Sequence, residues 1–175
     1  YSLAFGNSVG GAGIIGNPFE FAGLQSLLVN DPEASYPALA FVAFQACFAI
    51  ITVALVSGAI ADRASFGAWT AFAVLWGTLV YFPAAHWVFA FSSSDGGTVG
   101  GWIANQIHAL DFAGGTAIHI NAGAAALALA LVLGKRIGFG TEPMRPHNLP
   151  FVMIGAALLF VGWFVDKVGV RWALG

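Results

Sequence analysis

Charged residues are scarce in this sequence. Asp, Glu, Lys and Arg make up 8% of the 175 residues, whereas 59% of the residues are hydrophobic. Soluble domains carry about 25% charged residues, and a soluble chain of this length could not cover its surface with so few. The mean hydropathy of +0.84 points in the same direction. The composition therefore predicts a membrane protein.

Cysteine and clustered basic charge are also nearly absent. Cys47 is the single cysteine, which excludes an intrachain disulfide and a cysteine metal cluster. The net charge of −2 gives no indication of nucleic-acid binding. The glycine-rich run 6–13 lacks the Gly-Lys-Ser/Thr ending of a phosphate-binding loop, so we predict a flexible connection there.

The start of the chain lacks a methionine and the basic segment of a signal peptide. We therefore expect the sequence to be a piece of a longer protein, a fragment of one membrane domain. A turn is predicted at Asn30-Asp31-Pro32-Glu33, ahead of the first long apolar run.

Four apolar spans follow, at residues 37–61, 66–91, 112–133 and 149–165. A helix that crosses a bilayer needs about 20 apolar residues, and the first three spans meet this length. The fourth is shorter and is closed by Asp166 and Lys167. The pattern predicts an all-α protein, a polytopic bundle of about four transmembrane helices.

The distribution of basic residues predicts how these helices are oriented. Arg63 lies between spans one and two, and Lys135, Arg136 and Arg145 lie between spans three and four. Residues 1–36 and 92–110 contain no Lys or Arg. Because basic loops favour the cytoplasmic side, spans one and three are expected to begin at the outer face.

Asp111 stands at the predicted outer end of span three. We expect its carboxylate to cap the helix by accepting hydrogen bonds from the amides of Ala113 or Gly114. A capping carboxylate can also attract a cation to the outer mouth of a pore.

His119 follows eight residues later, about 12 Å further along an unbroken helix. The hydrocarbon is about 30 Å thick, so this places His119 near its middle. Polar side chains at that depth usually face a cavity, although a neighbouring carbonyl or hydroxyl could also satisfy the imidazole. No other His, Cys or carboxylate lies at metal-ligand spacing, so we expect no metal and no cofactor.

Phe44 and Phe48 are four residues apart and share one face of span one, near its outer end. Such a pair usually serves packing, but Gln45 beside it favours a pore mouth, since aromatic faces attract cations. Ser57 lies toward the inner end of the same span, away from a histidine base. We therefore expect no enzyme activity.

Two tryptophans and two histidines flank the long outer loop. Trp87 and Trp102 fit an interfacial aromatic belt. His86 and His108 are expected to be solvated or interfacial.

Five motifs together resemble those of the ammonium transporter family (Amt/MEP/Rh). They are Asp111-Phe112-Ala113-Gly114-Gly115-Thr116-Ala117-Ile118-His119-Ile120-Asn121-Ala122-Gly123, Phe44-Gln45-Ala46-Cys47-Phe48-Ala49-Ile50-Ile51-Thr52, Gly58-Ala59-Ile60-Ala61-Asp62-Arg63, Gly134-Lys135-Arg136-Ile137-Gly138-Phe139 and Pro146-His147-Asn148-Leu149-Pro150. The opening Tyr1-Ser2-Leu3-Ala4-Phe5-Gly6 resembles the end of the family's second helix. The four spans then correspond to family helices three to six.

The resemblance implies roles for particular residues. His119 takes the position of the first of two pore histidines, and Asp111 that of the acid near the outer cation site. The stacked aromatic gate of the family falls on Phe44 and Phe48. Phe89 takes the position of an outer-site tryptophan, for which Trp87 and Trp102 are candidate substitutes.

The resemblance also implies a mechanism and partners. Ammonium is recruited at an aromatic outer vestibule, loses its proton, and crosses as ammonia beside the histidines. A desolvated cation is very costly in an apolar pore, whereas neutral ammonia is not. Family members are homotrimers of the cell membrane that serve nitrogen uptake, and a cytoplasmic PII-type regulator is a further expected partner.

The sequence departs from the family after Phe164. The serine of the outer cation site would fall on Val170, and the second pore histidine is absent from these residues. Two alternatives to a transporter therefore stay open, a membrane ammonium sensor and a truncated non-functional remnant.

Overall fold

The computed structural model describes residues 1–29, 35–145 and 147–173, with the side chains of residues 165–173 excepted. The described residues form helices, turns and one isolated β-bridge between Ser8 and Gly16, and no strand. The prediction of an all-α fold is confirmed. The turn predicted at residues 30–33 and the side chain of Val170 lie outside the described part of the chain.

Three long helices form the frame of the segment 1–135. They are α2 (Ala38–Ile60), α3 (Phe66–Phe89) and α4 (Gly115–Leu133), after a short α1 (Ser2–Phe5). All three long helices have the length and apolar composition needed to cross a membrane. α2 and α3 follow the predicted spans closely, whereas α4 begins three residues later than predicted.

The ends of these helices follow from local sequence. Ser65 caps α3, with its hydroxyl oxygen accepting a hydrogen bond from the amide of Ala68 at 3.4 Å. Within α3, residues Gly77–Tyr81 widen to π-helical geometry, and the amide of Phe82 bonds to the carbonyl of Gly77. Pro83 follows at once and has no amide to donate, which favours such a local change of helical pitch.

The core of this segment draws on all four helices. α2 packs against α4, and α1 packs against the outer half of α3. The buried side chains at the centre are small or aromatic: Ala4, Val56, Trp76, Tyr81, Ala85, Ile118 and Ala122. This core fixes the helices that carry Phe48, Phe89 and His119 relative to one another.

The glycine-rich run near the start is not the flexible connection that we predicted. Its Gly13 amide donates to the Ser8 hydroxyl at 2.7 Å, and its carbonyl accepts from the Trp102 amide at 3.1 Å. Gly13 has φ +69°, and a Cβ there would lie 2.7 Å from the Trp102 nitrogen. At Gly13 the absence of a side chain lets the segment that carries Trp102 pack closely against the run.

His86 also differs from its prediction, because it is fully buried rather than solvated. Its Nδ1 lies 3.1 Å from the carbonyl oxygen of Ala4, 82 residues away in the sequence. Its Nε2 is buried without a hydrogen-bond partner among the described residues. The α1 segment covers this histidine, which no local pattern around residue 86 indicates.

Residues 136–175 form a separate unit. Its helix α5 runs from Leu149 to Ala173, beyond the predicted end of the fourth span at residue 165. The Asn148 side chain accepts a hydrogen bond from the Phe151 amide at 3.1 Å and so caps the start of α5. The described apolar part, Leu149–Phe164, is shorter than the other three spans, so a fourth crossing stays a prediction.

Candidate functional site

Asp111 caps α4, but through other amides than predicted. Its carboxylate accepts hydrogen bonds from Gly115 at 2.7 Å, Thr116 at 2.9 Å and Ala117 at 3.2 Å. The first amides of a helix have no partner inside it, and here the helix begins at Gly115 rather than Phe112. The predicted bonds from residues 113 and 114 were therefore wrong, although the predicted capping role is confirmed.

Gly114 explains this shift. It lies in the left-handed region, with φ 79° and ψ 31°, and turns the chain into α4. A Cβ at this position would also lie 2.2 Å from Cδ1 of Ile118. Both the backbone conformation and the close approach favour glycine, which brings the free amides of α4 over Asp111.

His119 lies in the first turns of α4, which are π-helical over Gly115–Ile120. Its amide bonds to the carbonyl of Gly114, five residues back, at 2.9 Å. Its side chain is exposed, and within the described part of the chain the imidazole has no hydrogen bond assigned to it. Because the helix begins only four residues before His119, the estimate of 12 Å from Asp111 does not hold.

Short π-helical segments are often found at functional sites, because they re-aim side chains and leave carbonyl groups with loosened bonding. In α4 this segment contains both the amides that bind Asp111 and the histidine of the predicted pore. The same π-helical segment therefore binds the Asp111 carboxylate and carries His119.

Three phenylalanine rings form a continuous column, two of them from α2 and one from α3. Phe44 and Phe48 meet edge to face, with ring centroids 4.9 Å apart and an interplanar angle of 86°. Phe48 contacts Phe89 of α3 at 6.2 Å. The rings of Phe44 and Phe48 are therefore not stacked on each other, and the contact with Phe89 joins α2 to the outer end of α3.

A cleft of about 420 Å³ opens next to this column and contains Asp111. We call it the outer cleft, following the predicted orientation. Its lining combines aromatic rings, one side-chain amide and one carboxylate: Tyr36, Phe41, Gln45, Phe89, Phe91, Ala109, Leu110, Asp111 and Phe112.

The outer cleft has the chemistry of a site for a small cation. A carboxylate supplies negative charge, and the faces of aromatic rings attract cations within about 6 Å. Asp111 has about four lone-pair positions, and its three amide bonds leave room for one further donor. Gln45 offers an additional acceptor oxygen beside these rings.

The predicted site residues do not all meet in this cleft. Asp111 and Phe89 line it, and Phe48 touches Phe89. Trp87 donates its indole N–H to the carbonyl of Ile14 at 2.7 Å and packs against Trp102 at 6.1 Å. Neither tryptophan is among the residues that line the outer cleft.

Sequence reasoning missed four aromatic members of the cleft, Tyr36, Phe41, Phe91 and Phe112. Phe41 contacts Tyr36 at 6.1 Å and Phe44 at 6.5 Å, and so extends the ring column outward. Phe41 lies three residues before Phe44, which places both on one helix face. This three-residue spacing could have identified Phe41 from the sequence. Phe91 lies in extended chain after α3, where periodicity carries no information.

Comparison with known proteins settles the family. The chain matches the sequence profile described as Ammonium Transporter Family over residues 1–174. The chain belongs to the ammonium transporter family.

Relatives and a solved structure agree with this assignment. An ammonium transporter from Mycobacterium tuberculosis is 59% identical over 97% of this chain and 38% of its own length. One from Corynebacterium glutamicum is 51% identical over 94% of this chain and 35% of its own length. A crystal structure of a Candida albicans Mep2 mutant is 31% identical and superposes with a TM-score of 0.66, over 95% of this chain and 35% of that one.

Family membership confirms the resemblance and the polytopic, ammonium-transporter-like helical fold. It also confirms the membrane location, together with the three apolar helices of sufficient length. The chain spans only about 38% of the length of the mycobacterial relative that it matches. The activity of the whole protein is therefore a matter for proposal.

Proposed function

We propose that this chain forms the outer cation site and part of the pore wall of a channel-like ammonium transporter. Ammonium is recruited into the outer cleft, transfers its proton to the imidazole of His119, and passes onward as ammonia. One observation carries this proposal: the Asp111 carboxylate lies in an aromatic cleft and caps the very turn that holds His119. Membership of the ammonium transporter family supports the choice of substrate.

Electrostatics favours a substrate that is charged in the outer cleft and neutral deeper in the membrane. The outer cleft offers Asp111 and the rings of Phe41 and Phe89 to a cation. Deeper in the membrane an unpaired charge would cost several kcal/mol or more, so the substrate continues as neutral ammonia. Phe48, which contacts the cleft residue Phe89, is the candidate for a gate between these two parts.

His119 serves the neutral part of the path. Its exposed imidazole is free to face a pore formed with further protein. A neutral imidazole has one donor and one acceptor nitrogen, so it can bind ammonia and also relay the released proton. The second pore histidine of the family would stand opposite His119 in a longer chain.

The partners of the proposed transporter follow from the family. Large apolar side chains are exposed over much of the long helices, as expected for surfaces that meet lipid or other subunits. We propose that the longer chain that contains these residues forms a homotrimer in the cell membrane. We also propose a PII-type regulator on its cytoplasmic side and no cofactor.

Uptake of methylammonium tests the proposal. Bacterial cells that lack their own ammonium transporters would express either these 175 residues or the longest reading frame that contains them. We expect saturable uptake, abolished by excess ammonium, from the longer chain. Absence of uptake from both, with each protein detected in the membrane, would refute a transport function. Uptake from the longer chain alone would show that residues 1–175 need the rest of the pore.

Phe48→Ala should change ammonium uptake without unfolding the protein. Phe48 joins the Phe44 and Phe89 rings, so its loss opens the column at the inner side of the outer cleft. We expect a change of about fivefold in the apparent KM or the maximal rate, the effect of losing about 1 kcal/mol of aromatic contact that holds Phe89 in place. Transport assays in membrane vesicles would measure both constants.

Phe66→Ala is the matched control for this variant. It removes the same ring from the inner end of α3, where Phe66 is 84% exposed. Transport constants that are identical for Phe48→Ala and the unmodified protein would reduce Phe48 to a packing residue.

A further inference from the structure

Asn105 makes three side-chain hydrogen bonds to the loop that follows α3. It lies in a π-helical turn, Ile103–Ile107, and does not itself line the outer cleft. Its Nδ2 donates to the carbonyls of Ala90 at 2.9 Å and Gly101 at 2.6 Å. Its Oδ1 accepts from the amide of Ser92 at 2.8 Å. Both hydrogens of the side-chain amide are thus used, and all three bonds are to backbone groups.

Two of these bonds flank Phe91. α3 ends at Ala90, which is extended at φ −86° and ψ 110°, so the peptide groups beyond it have no helical partners. Asn105 supplies partners on both sides of Phe91, at the Ala90 carbonyl and the Ser92 amide. It therefore fixes the segment that carries Phe89 and Phe91, one side of the outer cleft.

The turn that contains Asn105 also leads into the opposite side of the cleft. The amide of Ala109 bonds to the carbonyl of Ile103 at 3.3 Å, and Ala109, Leu110 and Asp111 follow as cleft residues. Asn105 is consequently a direct link between the Phe89–Phe91 side and the Asp111 side. Its hydrogen bonds determine how far apart the two sides stand.

Asparagine suits this position chemically. Two carbonyl groups need donors and one amide needs an acceptor, and a side-chain amide offers both on one planar group. An aspartate would keep the acceptor for Ser92 but would face the carbonyls of Ala90 and Gly101 with like partial charge. An alanine would remove the partner of the Ser92 amide and leave the Ala90 carbonyl only its bond from the Gly101 amide.

We propose that Asn105 is a positioning residue that sets the width of the outer cleft, and through it the preference for ammonium over larger cations such as methylammonium. This inference rests on the proposed transport function. Attraction between a cation and a ring weakens beyond about 6 Å, so a wider cleft holds the smaller cation less well. A methyl group on the cation fills part of the added width.

The test compares uptake kinetics of Asn105→Ala and Asn105→Asp in the longest reading frame. We expect the KM for ammonium to rise about threefold, the size of one weakened ring–cation contact, with the KM for methylammonium changed less. The maximal rates should stay within about twofold, because the pore beyond the cleft is unaltered. Asn105→Asp preserves side-chain size and one hydrogen bond, so it provides the measurement even where the alanine variant does not reach the membrane.

Asn7→Ala is the matched control. Asn7 holds the same loop at its far end, through the Val99 amide at 2.9 Å and the Gly97 carbonyl at 3.3 Å. It should lower the melting temperature in detergent, as the Asn105 variants do, without altering the ratio of the two KM values. An unchanged ratio in the Asn105 variants, or an equal change in Asn7→Ala, would overturn this inference alone. Absence of uptake by the unmodified protein would overturn the proposed function and this inference together.

Discussion

His119→Ala should reduce ammonium uptake about a hundredfold or more, the lower end of what a positioned acid–base group contributes to proton transfer. The imidazole lies in the π-helical start of α4 and is exposed. Alanine can neither bind ammonia nor relay a proton. Uptake of labelled methylammonium in cells carrying the longest reading frame would measure the loss.

Charge movement gives a second readout for the same variant. Currents recorded from liposomes should fall more than uptake of the neutral substrate if the proton travels along the histidine. His147→Ala is the control, because it removes an exposed histidine from the loop before α5. Unchanged uptake together with unchanged charge per substrate in His119→Ala would remove His119 from the transport path.

Asp111→Asn should lower both stability and uptake. The carboxylate holds three backbone amides at the start of α4, where negative charge is also favoured by the helix dipole. Asparagine keeps one acceptor oxygen and loses the charge, so we expect a loss of about 1 to 2 kcal/mol in the free energy of unfolding. Thermal unfolding in detergent would measure it.

The effect on uptake should exceed what the loss of a cap explains. Without the carboxylate the outer cleft has no charge to hold ammonium, so we expect the KM to rise about tenfold or more, for one charge-assisted contact of about 1.5 kcal/mol. Ser65→Ala is the control: it removes the cap of α3, which lies outside the cleft. A KM in Asp111→Asn no higher than in Ser65→Ala would confine Asp111 to capping.

The two predictions concern a single structural unit. Asp111 binds the amides of residues 115–117, and His119 follows within the same π-helical turns. The proposed cation site and the proposed pore histidine are thereby connected through backbone rather than through a flexible loop.

Much of the helical frame was predictable from hydropathy. The bounds of α2 and α3 agree with the predicted spans within one or two residues, because long apolar runs in a membrane protein leave few alternatives to helix. The start of α4 was predicted three residues too early. The apolar side chain of Phe112 extends the hydropathy pattern there, while the left-handed conformation of Gly114 ends the turn and starts the helix.

Several residues of the candidate site could be named from the sequence, but their contacts could not be predicted. Asp111, His119 and Phe48 were found from their positions in or beside the apolar spans, and Phe89 from the resemblance to the ammonium transporter family. Their roles in transport stay predictions. The membership of Phe91 in the outer cleft depends on the loop held by Asn105, which no periodicity reveals.

The sequence by itself determined the membrane class, the family and the order of the residues with functional chemistry along the chain. These are local properties, read from composition, hydropathy and motifs. The tertiary structure decided which of these residues meet. It placed Phe89 rather than Trp87 beside Asp111, and it buried His86 against Ala4, 82 residues away. Such contacts depend on the turn at Gly114 and on hydrogen bonds between distant segments, and neither is encoded in the spacing of apolar residues.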